Sequence, residues 1–364
     1  MSDIIVSGYH GFANSGDEAL LWAILQSIRK QNPDIDFTVL SKTPEETARV
    51  YSVNSINRYN LLRVVRAMKN SKMLLFGGGS LLQDVTSSKS IKYYLLILWL
   101  AKRFGLKTML YANGIGPVVK RENRFLATKI LNKIDLITLR DDNSDEELKK
   151  LGVTKPEIKI TADPVFTMDT DTSLSGKYFL RRAGVSDGAK VAVISLREWK
   201  TACSDFTEIL SKVCDYLYEK HGIVSLFVPM QYPHDLDISG EVMSRMKNRA
   251  YLINRELSVP EMLSVLSEAE LVIGMRLHSL IYATTLEKPA MALVYDPKVS
   301  AFMQSLSQPD FADVETLSFE EACAILDGIV DNKDTKSTLL HETNLLMRKK
   351  AQENAGYAIE LLDK

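Results

Sequence analysis

Short apolar runs alternate with longer amphipathic stretches along most of the chain. Strand-like runs stand at 4–7, 36–40, 73–76, 108–112 and 136–139. Between them, segments 19–31, 61–69, 91–104 and 123–134 carry apolar residues at helical spacing. This alternation predicts βαβ units, a parallel sheet with helices on both faces. A second series follows, with strands at 191–196, 224–229, 250–253, 271–273 and 290–294. Its intervening helices are expected at 204–221, 236–249, 260–268 and 279–286. Between the two series, Ser173 to Gly176 is short, polar and aperiodic, and reads as a linker. The tail 335–364 is one long helical pattern with charges throughout. The expected fold class is α/β: two doubly wound Rossmann-like domains facing a cleft, glycosyltransferase-B-like. The first domain spans 1–172, rejoined by the tail helix, and the second spans 173–334.

Composition narrows the class without naming a chemistry. The 364 residues are 46% hydrophobic and 25% charged, with mean hydropathy −0.06 and net charge −1. That is a globular balance, with no overall basic field to argue for nucleic acid. Cys203, Cys214 and Cys323 form neither a CxxC pair nor a disulfide framework, so a reducing, cytoplasmic compartment is expected. They assemble no zinc site, and no other cluster suggests a metal. The N-terminus starts directly on a strand and lacks a signal-peptide pattern. The most apolar stretch, Tyr93 to Ala101, lies between Lys92 and Lys102. It falls far short of the ~20 residues a bilayer demands. It reads as a buried helix, with a membrane-surface contact as the weaker alternative.

Candidate chemistry gathers at strand ends, where open α/β sheets bind ligands. In the second series Arg197 follows one strand, Arg276 and His278 a later one, and Lys298 the next. Two arginines, a lysine and a histidine on such turns suit an anionic ligand with a proton to move. The plainer alternative for Arg276 and His278 is a surface cation and a capping residue at an ordinary turn. Ser279 opens the helix that follows. His234 reads as a structural loop residue, and His10, His221 and His341 have no evident partner in the sequence.

In the first series the loop from Gly8 to Glu18 runs from a strand into a helix. Gly8, Gly11 and Gly16 permit close backbone approach. Asn14, Asp17 and Glu18 either cap that helix or receive sugar hydroxyls. Acids crowd the place a pyrophosphate would take, so the loop is no dinucleotide fingerprint. Gly77–Gly79 and Asn113–Pro117 follow two further strands. Arg140 stands just before a helix, where a cation opposes the dipole unless an acid or anion pairs with it.

The ordered set GYHGFANSGDEA, FGGGSLLQD, ANGIGP, TLRDDNS, TADPVF, SLREW, GMRLHSLIYA and YDPKV resembles the polysaccharide pyruvyl transferases. The resemblance is in particular to the CsaB type, which acts on secondary cell wall polymers of S-layer bacteria, and it covers nearly the whole chain. His10 departs from the aromatic residue more usual there, which bears on acceptor choice.

The resemblance implies transfer of the enolpyruvyl unit of phosphoenolpyruvate to a sugar, giving a 4,6-linked ketal and phosphate. Phosphoenolpyruvate is then a substrate, and no cofactor is implied. The acceptor implied is a β-linked N-acetylmannosamine on a lipid-diphosphate-linked glycan, handled in the cytoplasm at the inner membrane face. Arg197, Arg276 and Lys298 would hold the donor, with Arg140 and Ser279 as further donor-side candidates. His278 would be the acid–base group, and Asn14, Gly16, Asp17 and Glu18 the acceptor side. The main rival is a nucleotide-sugar glycosyltransferase of the same architecture, with an acid such as Glu198 on the donor ribose.

Overall fold

A computed structural model describes residues 2–85, 88–170 and 174–364; the expected junction at 172/173, and Ser173 of the expected linker, lie outside them. The chain divides into two compact units, 1–168 with 346–364, and 169–345. Each unit is built on one parallel sheet. The first has strands β1 (Ile4–His10), β2 (Phe37–Ser41), β3 (Asn54–Asn57), β4 (Met73–Gly77), β5 (Lys107–Asn113), β6 (Leu136–Leu139) and β7 (Glu157–Ile160). Their spatial order is β3-β2-β1-β4-β5-β6-β7. The second has β8 (Lys190–Ser195), β9 (Ile223–Phe227), β10 (Tyr251–Leu252), β11 (Leu271–Gly274), β12 (Ala290–Val294) and β13 (Phe311–Asp313). Their order is β10-β9-β8-β11-β12-β13.

Both orders start from the first strand of the unit, step outward one way and then return to the other side. The crevice opens where the direction reverses, between β1 and β4 in the first unit and between β8 and β11 in the second. The central strands β4 and β11 are buried throughout and β8 is buried after Lys190, as continuous apolar runs require. Helices cover both faces of the first sheet. Helices Leu61–Met68, Ser88–Arg103, Arg121–Leu131 and Asp142–Lys150 share one core through Val64, Leu95, Ala127 and Leu148. Helix Ser15–Gln31 covers the other face with Ile24 and Ile28, joined by Ala355, Ala358 and Leu361 from the tail.

Helix Lys333–Asp363 is continuous, and its residues pass from the second unit to the first at Leu345/Leu346. Inside the first unit its Asn354 is fully buried and accepts hydrogen bonds from Thr138 at 2.6 Å and Thr161 at 3.0 Å. Gly176 does not act as linker. It opens helix Gly176–Ala183, where a Cβ would lie 1.9 Å from the Ser264 carbonyl oxygen, so the glycine permits helix–helix contact. His221 and His341 do have partners, Asp327 at 2.8 Å and Glu287 at 2.7 Å.

Candidate active site

In the second unit, Ser195 on β8 pairs with Gly274 on β11 across the switch point. Two residues beyond each stands an arginine, Arg197 and Arg276. Equal offsets from paired positions bring both guanidinium groups to one cavity of about 330 Å³. Gln231, His234 and Asp235, from the loop after β9, line it too, with Glu198 and Asp237. The volume is at the small end of ligand sites, suited to a few heavy atoms and not to a dinucleotide.

The two arginines are held differently. Arg276 forks onto Asp235, with Nε at 2.8 Å from Oδ2 and Nη2 at 2.5 Å from Oδ1, and also donates to Gln231 at 3.0 Å. Asp235 is in turn fixed by the amides of Met230 and Gln231. Such a bidentate pair fixes the plane of the guanidinium. Arg197 pairs with no carboxylate among the described residues. Its guanidinium lies over the rings of Trp199 and Tyr295, at 5.3 and 4.9 Å, and Nη1 donates to the Tyr295 hydroxyl at 3.3 Å. Its Nε is buried with no hydrogen-bond partner among the described residues. A buried donor left this way costs about 1–3 kcal/mol unless a ligand takes it up.

Tyr295 also carries Lys298, whose Nζ is 5.8 Å from the ring centroid. Lys298 sits in the first turn of helix Pro297–Ser305 and reaches Asp296 at 3.2 Å. Both partners are partly exposed, so that ion pair is weak and an anion can displace it. His278 is half-buried in the first turn of helix Leu277–Thr285 and is not among the residues lining the cavity, whereas His234 is. Ser279 is fully buried and donates to the Arg276 carbonyl at 2.6 Å. Its hydroxyl is spent on the turn that sets Arg276, which leaves it a positioning residue.

The first unit closes its own switch point. Asn14 caps helix Ser15–Gln31 by accepting from the Gly16 amide at 3.1 Å, worth about 1 kcal/mol. Glu18 accepts from the Gly11 amide at 2.8 Å and the Tyr51 hydroxyl at 2.6 Å. One of its oxygens thus braces the loop and the other ties it to the end of helix Pro44–Tyr51. Asp17 lies against the β4 loop, where a Cβ on Gly79 would come 3.1 Å from its Oδ1. Gly79, at φ +71°, allows that approach. The β4 and β5 loops run side by side, with the Gly114 amide donating to the Gly79 carbonyl at 3.1 Å.

Arg140 belongs to this network. Its Nη1 binds Asp163 at 2.9 Å and its Nη2 binds the Ser80 hydroxyl at 2.9 Å. Burial opposes its charge, but Asp163 and Asp141 outweigh that and hold its pKa above the usual arginine value. Any ligand contact from Arg140 would have to draw it from Asp163.

Arg58 and its surroundings escaped the sequence reading. Its side chain is buried among the rings of Phe12, Tyr59, Tyr93 and Tyr94, at 4.6–5.6 Å, and donates to the Gly8 carbonyl at 2.8 Å. Beside it His10 is fully buried. Burial first, and the Arg58 charge second, push its pKa down to about 3. His10 is therefore neutral near pH 7. In the second unit Gln231 and Asp235 were missed, and His234, read as a structural loop residue, lines the cavity with them; the strand-end rule could have found all three after β9.

The profile of the polysaccharide pyruvyl transferase family matches residues 14–297. The chain belongs to that family. The matched span takes in every site residue named above from Asn14 to Ser279 and stops one residue short of Lys298. As a polysaccharide pyruvyl transferase, the chain is similar to the amylovoran biosynthesis protein AmsJ of Erwinia amylovora. The two are 21% identical over 387 positions, covering 90% of this chain and 92% of AmsJ. Among solved structures it is similar to Anabaena HepE in complex with UDP-glucose, at TM-score 0.66 and 12% identity, covering 99% and 100% of the two chains. It is also similar to a putative UDP-N-acetylglucosamine 2-epimerase of Listeria monocytogenes, at TM-score 0.69 and 12% identity, covering 99% and 96%. At such identity these two structures establish the fold alone, and this transferase has the glycosyltransferase-B-like architecture of paired Rossmann-type units.

Proposed function

We propose that this chain transfers the enolpyruvyl unit of phosphoenolpyruvate to two hydroxyls of a sugar, forming a 4,6-pyruvate ketal and releasing phosphate. The observation that carries the reading is Arg197, a cation with no carboxylate partner among the described residues and a buried unpaired Nε, beside Arg276 in a 330 Å³ cavity. A small donor bearing both a carboxylate and a phosphate suits that pair, with Arg276 pre-aimed by Asp235 and Lys298 at the adjoining turn.

In the reaction a proton is delivered to the methylene carbon, which becomes the methyl group. The oxocarbenium-like carbon accepts one sugar hydroxyl, phosphate leaves, and the second hydroxyl closes the ketal. One hydroxyl proton balances the new methyl C–H, and the other leaves with phosphate. His278 is the group assigned to proton transfer, since an imidazole titrates near neutrality, at about 6.5 when unperturbed. The acceptor side is the loop of Asn14, Gly16 and Asp17. The acceptor is a β-N-acetylmannosamine of a lipid-diphosphate-linked precursor, as in the CsaB type, processed at the inner face of the membrane.

Phosphate release from phosphoenolpyruvate, with a panel of N-acetylhexosamine glycosides, tests this directly. Release that depends on one of these sugars is expected; none with any acceptor overturns it. Asp17→Asn should leave phosphoenolpyruvate binding unchanged and move the melting temperature little, because Asn14 is the cap and Asp17 only a first-turn acid, while lowering transfer to sugar. Full transfer in that variant would leave Asp17 a first-turn acid of its helix and nothing more.

One observation favours the rival. Glu198 lines the same cavity as the arginines, where a nucleotide-sugar enzyme would place an acid on ribose. A melting shift with uridine diphosphate and none with phosphoenolpyruvate would decide for that rival.

A further inference from the structure

Helix Ser88–Arg103 turns one stripe outward. Among its described side chains the exposed positions are Lys89, Lys92, Leu96, Trp99 and Arg103, every one basic or apolar. Trp99 is 47% exposed and Leu96 41%. The helices beside it repeat the pattern. Helix Leu61–Met68 shows Leu62, 86% exposed, next to Arg66, and helix Arg121–Leu131 shows Phe125, 66% exposed, next to Lys129. These helices share one core on the same sheet face. Tyr59 and Tyr93, with ring centroids 6.2 Å apart, join the first pair, and Lys92–Glu122 at 3.0 Å joins the second. Their outer sides therefore form one continuous surface.

We propose that this surface seats the first unit on an anionic phospholipid bilayer. Aromatic and leucine side chains among lysines and arginines match the acyl boundary and the phosphate layer of a membrane surface. Among the described residues, no helix is long and apolar enough to cross a membrane, so the contact is peripheral. Charge decides between occupants. The whole chain carries only −1, yet this face is basic, and Glu122, the exposed acid on these three helices, is already paired with Lys92. A second copy docked by two-fold symmetry would set the basic patch against itself.

The surface also adjoins the acceptor loop. Arg58 donates to the Gly8 carbonyl and precedes the exposed Tyr59, so one side-chain layer separates the glycine-rich turn from the bilayer seat. That link to a lipid-linked acceptor rests on the function proposed above; the surface does not.

Flotation of the whole protein with vesicles tests it. Binding is expected to vesicles of phosphatidylcholine with added phosphatidylglycerol, not to phosphatidylcholine alone, and is lost in high salt. Trp99→Ser and Leu62→Ser should each lower partitioning by about tenfold, and Arg66→Gln by about fivefold. All three should keep phosphate release with a water-soluble sugar acceptor. Absence of binding to anionic vesicles, or variants that float like the parent, would overturn the proposal. So would a dimer in sedimentation that Trp99→Ser splits, which assigns the face to a second copy. A protein that floats but releases no phosphate from phosphoenolpyruvate would sink the catalytic reading and leave the membrane surface standing.

Discussion

The loops after β1 and β4 and the loops after β8 and β11 occupy the same topological place in two sheets of the same winding order. In the first unit that place is closed by its own residues: Glu18 holds Gly11, Arg140 holds Asp163 and Ser80, and Arg58 holds Gly8. In the second unit the equivalent place keeps a cavity, with Arg276 fixed and Arg197 uncommitted to any acid among the described residues. A switch point is thus a location and not a function. Side-chain satisfaction decides whether it becomes a shaped rim or an anion-receptive hole.

The largest effect expected on this contrast is chemical. His278→Gln should lower turnover by about 10²–10⁴-fold with the fold intact by circular dichroism. Near-normal turnover would remove His278 from the mechanism and point to His234, which lines the cavity.

Next comes Arg276→Met, which strands Asp235, whose side chain is 2% exposed. Breaking one partner from such a pair costs about 3–5 kcal/mol, read by urea denaturation. Adding Asp235→Asn should recover most of the stability without restoring donor affinity. Recovery of both would make Arg276 a structural brace like Arg140, and the two switch points would no longer differ.

Arg197→Ala should behave in the opposite way. It leaves no buried acid behind, so the melting temperature should hold while the KM for phosphoenolpyruvate rises about 10–100-fold, the loss of one charge-assisted contact. A large loss of stability with unchanged KM would show that Arg197 is committed to its aromatic neighbours alone.

The smallest effect sharpens the contrast by pH. His10 in the first unit has its pKa pushed down to about 3 against an ordinary 6.5. Between those values the unfolded chain binds a proton that the folded one refuses. The stabilisation is complete above pH 6.5 and is lost as pH falls, by up to about 1.4 kcal/mol per unit. His10→Gln should therefore show a shallower fall in unfolding free energy between pH 7 and pH 5. Identical slopes would mean that His10 is protonated in the fold.

What was legible in the sequence follows burial. Strands 136–139 and 290–294 were delimited to the residue because they are apolar and buried on both faces. β3, with sequence Asn54-Ser-Ile-Asn57, and β7, with Glu157-Ile-Lys-Ile160, escaped because they are edge strands whose mixed residues carry no apolar run. β1 runs on to His10, three residues past its expected end, because His10 pairs with Ser41 after an irregularity that no local pattern betrays. The same limit applies at the site. Strand-end position sufficed to pick out Arg197 and Arg276, since it is local. The grip of Asp235 on Arg276, 41 residues away, and the packing of Arg58 on Tyr93 and Tyr94 are products of the tertiary fold.

The tail helix bears on modularity. Residues 346–364 supply Ala355, Ala358 and Leu361 to the first unit's core, and Asn354 bonds to Thr138 on β6 and Thr161 just after β7. A gene cut at 168/169 would therefore yield an N-terminal half missing part of its own interior. Recombination between relatives can exchange the two units cleanly only as an insertion of residues 169–345 into a host that keeps both ends of its chain. The cavity of the two arginines can then be shuffled as an inserted cassette, while the first unit is inherited with the tail.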